Sequence, residues 1–281
     1  MTTPNSTIRQ RQLATRLREL RSGSGMSIAD VAAHLLCTPS KISRIETAKR
    51  RASLRDVRDL CNLYGVADNT ELMALARGAR EQEWWQDYDE VNFRPLLGLE
   101  AEASEITEYE TTTIPGLLQT EDYARAVITG YLPKIEADIL SDRIQARIKR
   151  QDLLIKADPP RYRILLDESA LHRHVGGKAT MREQLRRLVE VAQFPHVTVQ
   201  VIPYTVGAHM GFDSAFMLLE FPKLSGVLDT VYIEHQIGHF FIENEEKVKR
   251  FRETIDLLRD EALSRGDSIG LISTVASNFT E

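Results

Sequence analysis

The chain has 281 residues, 42% hydrophobic and 27% charged, which suits a soluble globular protein long enough for two domains. No apolar run reaches about 18 residues, which argues against a membrane-spanning helix, and MTTPNSTIRQRQ lacks the apolar core of a signal peptide. Two cysteines, Cys37 and Cys61, leave no room for a disulfide framework and fit a cytoplasmic location as buried core residues.

The net charge of −5 conceals a polarity. Residues 1–80 carry 14 Lys/Arg against 7 Asp/Glu, and residues 81–281 carry 22 against 34. Local charge is what a phosphate backbone meets, so the first segment is the one suited to nucleic acid.

Residues 1–7 read as a polar disordered tail. Residues 8–80 read as five short helices. Leu13, Leu17 and Leu20 give the first an apolar face, ended by Ser22-Gly23-Ser24-Gly25. Val31, Ala32 and Leu35 mark the second. Thr38-Pro39 opens the third, with Thr as N-cap and Pro at the first helical position, where its missing N–H costs nothing. Ile42 and Ile45 point inward from it. Ser53 caps a fourth helix through Leu54, Val57, Leu60 and Cys61, and a fifth starts near Asn69-Thr70.

Residues 81–110 form an acidic connector with 10 Asp/Glu and one Arg, interleaved with Trp84, Trp85, Tyr88 and Phe93. It is either a surface for a basic partner, or a mimic of phosphate, or a plain joint with a solvated acidic side. Residues 111–265 mix helices and strands. Thr120 caps one helix and a longer one runs from Lys134 to Lys156, its cations interspersed with acids as on a salt-bridged surface. Strands are expected at 161–167, 197–202, 215–221, 227–234 and 239–242, with helices over 168–174, 180–194 and 244–264. Residues 266–281 read as a loose tail. The fold class is therefore multi-domain: an all-α five-helix domain followed by an α+β domain with a small sheet and covering helices.

The second and third helices with their tight turn make a helix-turn-helix. Its third helix offers Ser40, Lys41, Ser43 and Arg44 outward from the Thr38 cap. Lys41 and Arg44 suit guanine acceptors or nearby phosphates, and the serines add hydrogen bonds. Ser27 at a helix start and the cations Lys49, Arg50 and Arg51 are placed to hold phosphates. One such domain covers about half a turn of duplex, so a homodimer on double-stranded DNA is expected.

Catalytic signals are weak. CxxC, HExxH and GxSxG are absent. His172 and His174 alternate, and His235 and His239 are four apart in a strand context that does not suit metal binding. Gly176-Gly177-Lys178 lacks the rest of a phosphate-binding loop, and Asp167-Glu168 has no evident catalytic partner. No enzyme activity, metal or cofactor is expected.

Residues 8–77 resemble a lambda-repressor/Cro-type (Xre-type) helix-turn-helix domain on Gly25-Met26-Ser27, Val31-Ala32 and Pro39-Ser40-Lys41-Ile42-Ser43-Arg44-Ile45-Glu46. Nearly the full chain resembles the actinobacterial WhiJ-like regulators. That likeness rests on Tyr109-Glu110, Ile114-Pro115-Gly116-Leu117-Leu118-Gln119-Thr120, Tyr123-Ala124 and Val231-Tyr232-Ile233-Glu234. The resemblance implies a transcriptional regulator whose second domain pairs, antitoxin-like, with a small protein encoded nearby. Simple dimerisation through the second domain is one alternative, and a small-molecule effector is another, in a pocket lined by Tyr204, Phe216, Tyr232 and Phe240. Three positions depart from the Xre pattern: Ile28 where many have Gln, and Leu36 and Ala48 where Gly is usual. Gly tolerates positive φ, so either these turns close differently here or strain is tolerated.

Overall fold

Five helices build the first unit: α1 (Ile8–Gly23), α2 (Ile28–His34), α3 (Pro39–Glu46), α4 (Leu54–Leu63) and α5 (Thr70–Gly78). The computed structural model describes residues 8–80, 94–222, 227–235 and 238–279, so the acidic aromatic stretch 81–93 and the tail 1–7 lie outside the described residues. The chain divides into two units, Met1–Glu83 with Pro222–Val227 and Trp84–Phe221 with Leu228–Glu281.

The helix starts in the first unit follow the caps written in the sequence. Ser27 and Ser53 form reciprocal capping boxes with Asp30 and Asp56, and Thr38 Oγ1 accepts from the Lys41 amide. The apolar positions then meet in one core of Leu17, Val31, Ile42, Ile45, Val57 and Leu60, with Cys61 buried among them and Cys37 half-buried. Burial of each large aliphatic chain here stabilises by about 1.5–3 kcal/mol.

The second unit is a six-stranded mixed sheet with helices, the expected α+β class. After α6 (Arg94–Glu102) come β1 (Glu105–Glu110), α7 (Glu121–Tyr131), α8 (Ala137–Arg150) and β2 (Arg161–Asp167). Next are α9 (Ser169–His172), α10 (Lys178–Val191), β3 (Val197–Ile202), β4 (Phe216–Glu220), β5 (Thr230–His235) and β6 (Gly238–Ile242). Helices α11 (Glu245–Glu261) and α12 (Arg265–Asn278) close the chain. The strand order is β3-β2-β1-β4-β5-β6, with β1, β2 and β3 parallel and the others antiparallel. Among the described residues no helix is long and apolar enough to cross a membrane.

Two sequence expectations are corrected here. Residues 94–110 are not a connector: they supply α6 and the central strand β1. Residues 265–278 are not a loose tail: they form α12, whose Ile272 and Val275 are buried. That helix also seals an edge. The Leu263 N–H donates to Val201 O (2.8 Å), and the Val201 N–H donates to Ser268 Oγ (3.0 Å), so the outer side of β3 is bonded by its own chain.

Strand register gives the sheet two different faces. Tyr109, Leu165, Phe216, Leu218 and Val231 point one way, onto Val248, Ile255 and Leu258 of α11. Glu108 and Glu110 point the other way, towards α8. There Arg150 makes a bidentate pair with buried Glu100 (Nε to Oε2 2.7 Å), and the Tyr162 hydroxyl donates to Glu108. Burial pushes the Glu108 carboxyl up to about 7, against the pull of Arg150 and of the Tyr162 hydrogen bond.

Because the folded value lies above the ordinary 4.5, the folded unit holds a proton that the unfolded chain releases. This stability is full below about 4.5 and is lost as pH rises through about 7. Urea midpoints of the second unit measured across this range should fall with rising pH, and Glu108→Gln should flatten the fall. An unchanged slope in the variant would assign the pH dependence elsewhere.

Candidate nucleic-acid interface

Helix α3 is held from behind and open in front. Behind, Ile42 and Ile45 are each 2% exposed, and Glu46 is buried. The Arg21 guanidinium grips Glu46 with two bonds (Nε to Oε1 2.8 Å, Nη2 to Oε2 3.0 Å) and gives a third to Met26 O (2.9 Å). The hydrogen bond to Glu46 raises the Arg21 pKa further, with burial opposing. In front, Thr38, Ser40 and Arg44 are exposed and Ser43 is half-buried.

Lys41 differs from the other candidates. Its ammonium pairs with Asp56 Oδ1 at 2.5 Å, binding α3 to α4. Burial works against the Asp56 charge, but Lys41 and the Ser53 cap outweigh it and hold the carboxyl below its ordinary range. Ser27 is exposed, its hydroxyl oxygen taken by the Asp30 amide. Lys49, Arg50 and Arg51 are exposed on the turn after α3 and form no ion pair with a described residue. The Arg50 amide donates back to Arg44 O (2.9 Å), so this turn is tied to the helix it follows. Ile28 leans on the core and offers no polar group.

The two departures from glycine keep the glycine conformation. Leu36 has φ 51° and Ala48 has φ 54°. Leu36 closes α2 with the Cys37 N–H bonded to Ala32 O (2.9 Å) and its own N–H to Ala33 O (3.3 Å). This is the Schellman pattern that Gly25 and Gly65 make after α1 and α4. Among the described residues this cap follows α1, α2 and α4, twice with Gly and once with a leucine that is 93% exposed. Ala48 is steadied differently: Gln10 Nε2 donates to its carbonyl (2.7 Å).

Residues 12–75 match the model of a helix-turn-helix domain. Residues 93–274 match the model of a domain of unknown function, DUF5753. The chain belongs to the DUF5753 family. No curated protein and no solved structure matches it. The DUF5753 match begins before β1 and runs into α12, the two stretches that sequence reasoning left outside the second domain.

Within the DUF5753 unit the four aromatic candidates do not line one pocket. Tyr204 is 57% exposed in a short turn after β3, where it stacks on His172. Phe216 is packed on Phe251 and Tyr109 in the α11 face. Tyr232 pairs in register with Met217, the neighbour of Phe216, so it lies on the opposite face. Phe240 is half exposed on β6. Sequence spacing gave no register, and strand alternation separates these residues. Among the described residues no group of three His, Cys, Asp or Glu could hold a metal ion. His235 and His239 lie at the β5–β6 turn. Gly176 and Gly177 form the positive-φ entry to α10.

The left-handed backbone costs a non-glycine residue about 1–2 kcal/mol, and glycine returns about half of that through its freer unfolded chain. Leu36→Gly should therefore stabilise the first unit by about 0.5–1 kcal/mol, since Leu36 buries nothing. Ala48→Gly should be near neutral, because Ala48 is buried and its methyl contributes about 0.8 kcal/mol. Thermal melts of both variants check the contrast, and equal shifts would contradict it.

Proposed function

We propose that the protein is a sequence-specific DNA-binding transcriptional regulator of the Xre type that works as a homodimer on double-stranded DNA. The observation that carries this reading is the front of α3: Arg44 and Ser40 stand exposed beside three consecutive free cations, on a helix fixed from behind by apolar burial and the Arg21–Glu46 pair. In this reading α3 enters the major groove and Arg44 meets base edges with Ser40 and Ser43. Ser27, Thr38, Lys49, Arg50 and Arg51 hold phosphates and set register. Lys41 joins them by exchanging Asp56 for DNA.

The second unit is the regulatory half. Its resemblance to WhiJ-like regulators supports an antitoxin-like role with a small partner protein, and the −12 balance of residues 81–281 suits a basic one. A small-molecule effector is the other reading, and a specific group of side chains favours it below.

The test begins by selecting a binding sequence from random duplexes. Arg44→Ala should then cost about 1–3 kcal/mol on the selected site and relax its preference. Arg50→Ala should weaken all duplexes alike and reduce the salt slope by about one. Equal, sequence-blind losses in both variants would overturn the assignment of roles, and selection of no sequence would overturn the function. Sedimentation with and without the selected duplex should show a two-fold dimer, and a monomer in both would remove the dimer from the proposal.

A further inference from the structure

On the face of the sheet turned away from α11, the second unit holds charges that do not meet. Glu108 and Glu110 on β1 share that face with Tyr232 and Glu234 on β5 and with His239 and Phe241 on β6, as the register requires. Arg143 and Arg147 approach from α8. Arg150, one turn further, is satisfied by Glu100, and Glu108 by Tyr162. The remaining acids and arginines are not paired in this way.

Arg147 gives one Nη1 bond to Gln119 Oε1 (2.8 Å), and its Nε is buried with no partner. The Nε of Arg143 is buried and unpartnered too. Glu110 has one long contact, from Thr113 Oγ1 at 3.5 Å. Neither arginine forms an ion pair with a described residue, although Glu110 and Glu234 both lie within reach of Arg147's field. Burial pushes the Glu110 carboxyl up, towards its neutral form. A buried polar atom left without a partner costs about 1–3 kcal/mol, so the two unpartnered guanidinium nitrogens mark a place for an acceptor group that the chain itself does not supply.

The surroundings suit an occupant. Glu110 and Arg147 keep part of their surface open, and Glu234 and Tyr131 are exposed at the outer end, which gives a route in from solvent. Tyr232 forms an aromatic floor, stacked on His239 (25° between rings) and tilted against Phe241, with its hydroxyl 2.8 Å from His239 Nδ1. Anion acceptors of the ligand fit the guanidinium groups, which offer paired donors. A cationic donor fits the carboxylates, and a flat or apolar side fits the ring floor.

We propose that this site binds a small zwitterion of the amino-acid class, its carboxylate against Arg143 and Arg147 and its ammonium against Glu110 and Glu234. Tyr232 alone of the four aromatic residues singled out from the sequence takes part. The site makes the second unit a sensor, and its existence does not rest on DNA binding. Failure here leaves the helix-turn-helix reading intact, and failure there leaves this one intact.

The experiment is thermal shift and calorimetry of the full chain with the ordinary L-amino acids one at a time. Inorganic phosphate serves as the anion-only probe and putrescine as the amine-only probe. At least one amino acid, at about 100 times its Kd, should raise the second unit's Tm by roughly 5–10 °C. Arg147→Met and Glu234→Gln should each weaken that binding at least about tenfold, the loss of a charged hydrogen-bond partner. Glu234 is exposed, so its variant keeps the fold even if Arg147→Met does not. The proposal falls if no amino acid shifts the melt, if the shift survives in Glu234→Gln and in a folded Arg147→Met, or if phosphate or putrescine alone stabilises as much as the best amino acid.

Discussion

The first unit depends on one buried ion pair. Arg21 stands in the last turn of α1, and its three bonds reach Glu46 at the end of α3 and the Met26 carbonyl just ahead of α2. Three elements that the apolar core could seat in several orientations are thereby set in one. A carboxylate that is 4% exposed tolerates burial only with such a partner, and loss of either member would strand the other at roughly 3–5 kcal/mol. The face of α3 that meets solvent is thus oriented by charges on the face that does not. Arg44 is two residues from Glu46 and points away from it, so the exposed face of α3 inherits the precision of the pair.

The DUF5753 unit uses the same chemistry on α6 and β1 and then departs from it. Arg150 with Glu100 and Tyr162 with Glu108 satisfy two buried acids in the way Arg21 satisfies Glu46. One step along the strand and one turn along the helix, Glu110 and Arg147 are left apart. The contrast between neighbouring satisfied and unsatisfied charges within a single layer separates a structural device from a site.

Legibility in the sequence followed the physics of each element. Caps and helical spacing placed α1 to α5, because Ser, Thr, Asp and Pro act locally and their effect can be read from adjacent residues. Five strands were visible from β-branched and aromatic runs. The sixth, β1, was hidden because Glu105, Glu108 and Glu110 read as a solvated acidic run. Only Tyr162 and Arg163, more than 50 positions away from Glu108 and Glu105, show that acids belong there. For α12 the weak apolar pattern of its sequence concealed a helix buried along one strand edge. Among the candidate residues, Arg44 is exposed on α3 as helical spacing placed it, and Lys49, Arg50 and Arg51 are exposed on the turn that follows. The engagement of Lys41 with Asp56 required knowledge of how α3 lies against α4. Glycine-like backbone at Leu36 and Ala48 could be posed as a question from the sequence, and only the observed φ values answered it.

The seal on β3 has a consequence for synthesis. Gln200 and Val201 are made 63 and 67 residues before Leu263 and Ser268, the residues that bond them. During translation the parallel strands can assemble while the outer edge of β3 still presents open amide and carbonyl groups, the arrangement that invites pairing with another chain. The interval ends only when α12 leaves the ribosome. On a crowded polysome, the rate at which the final helix emerges and docks therefore sets how long each nascent copy remains exposed to its neighbours.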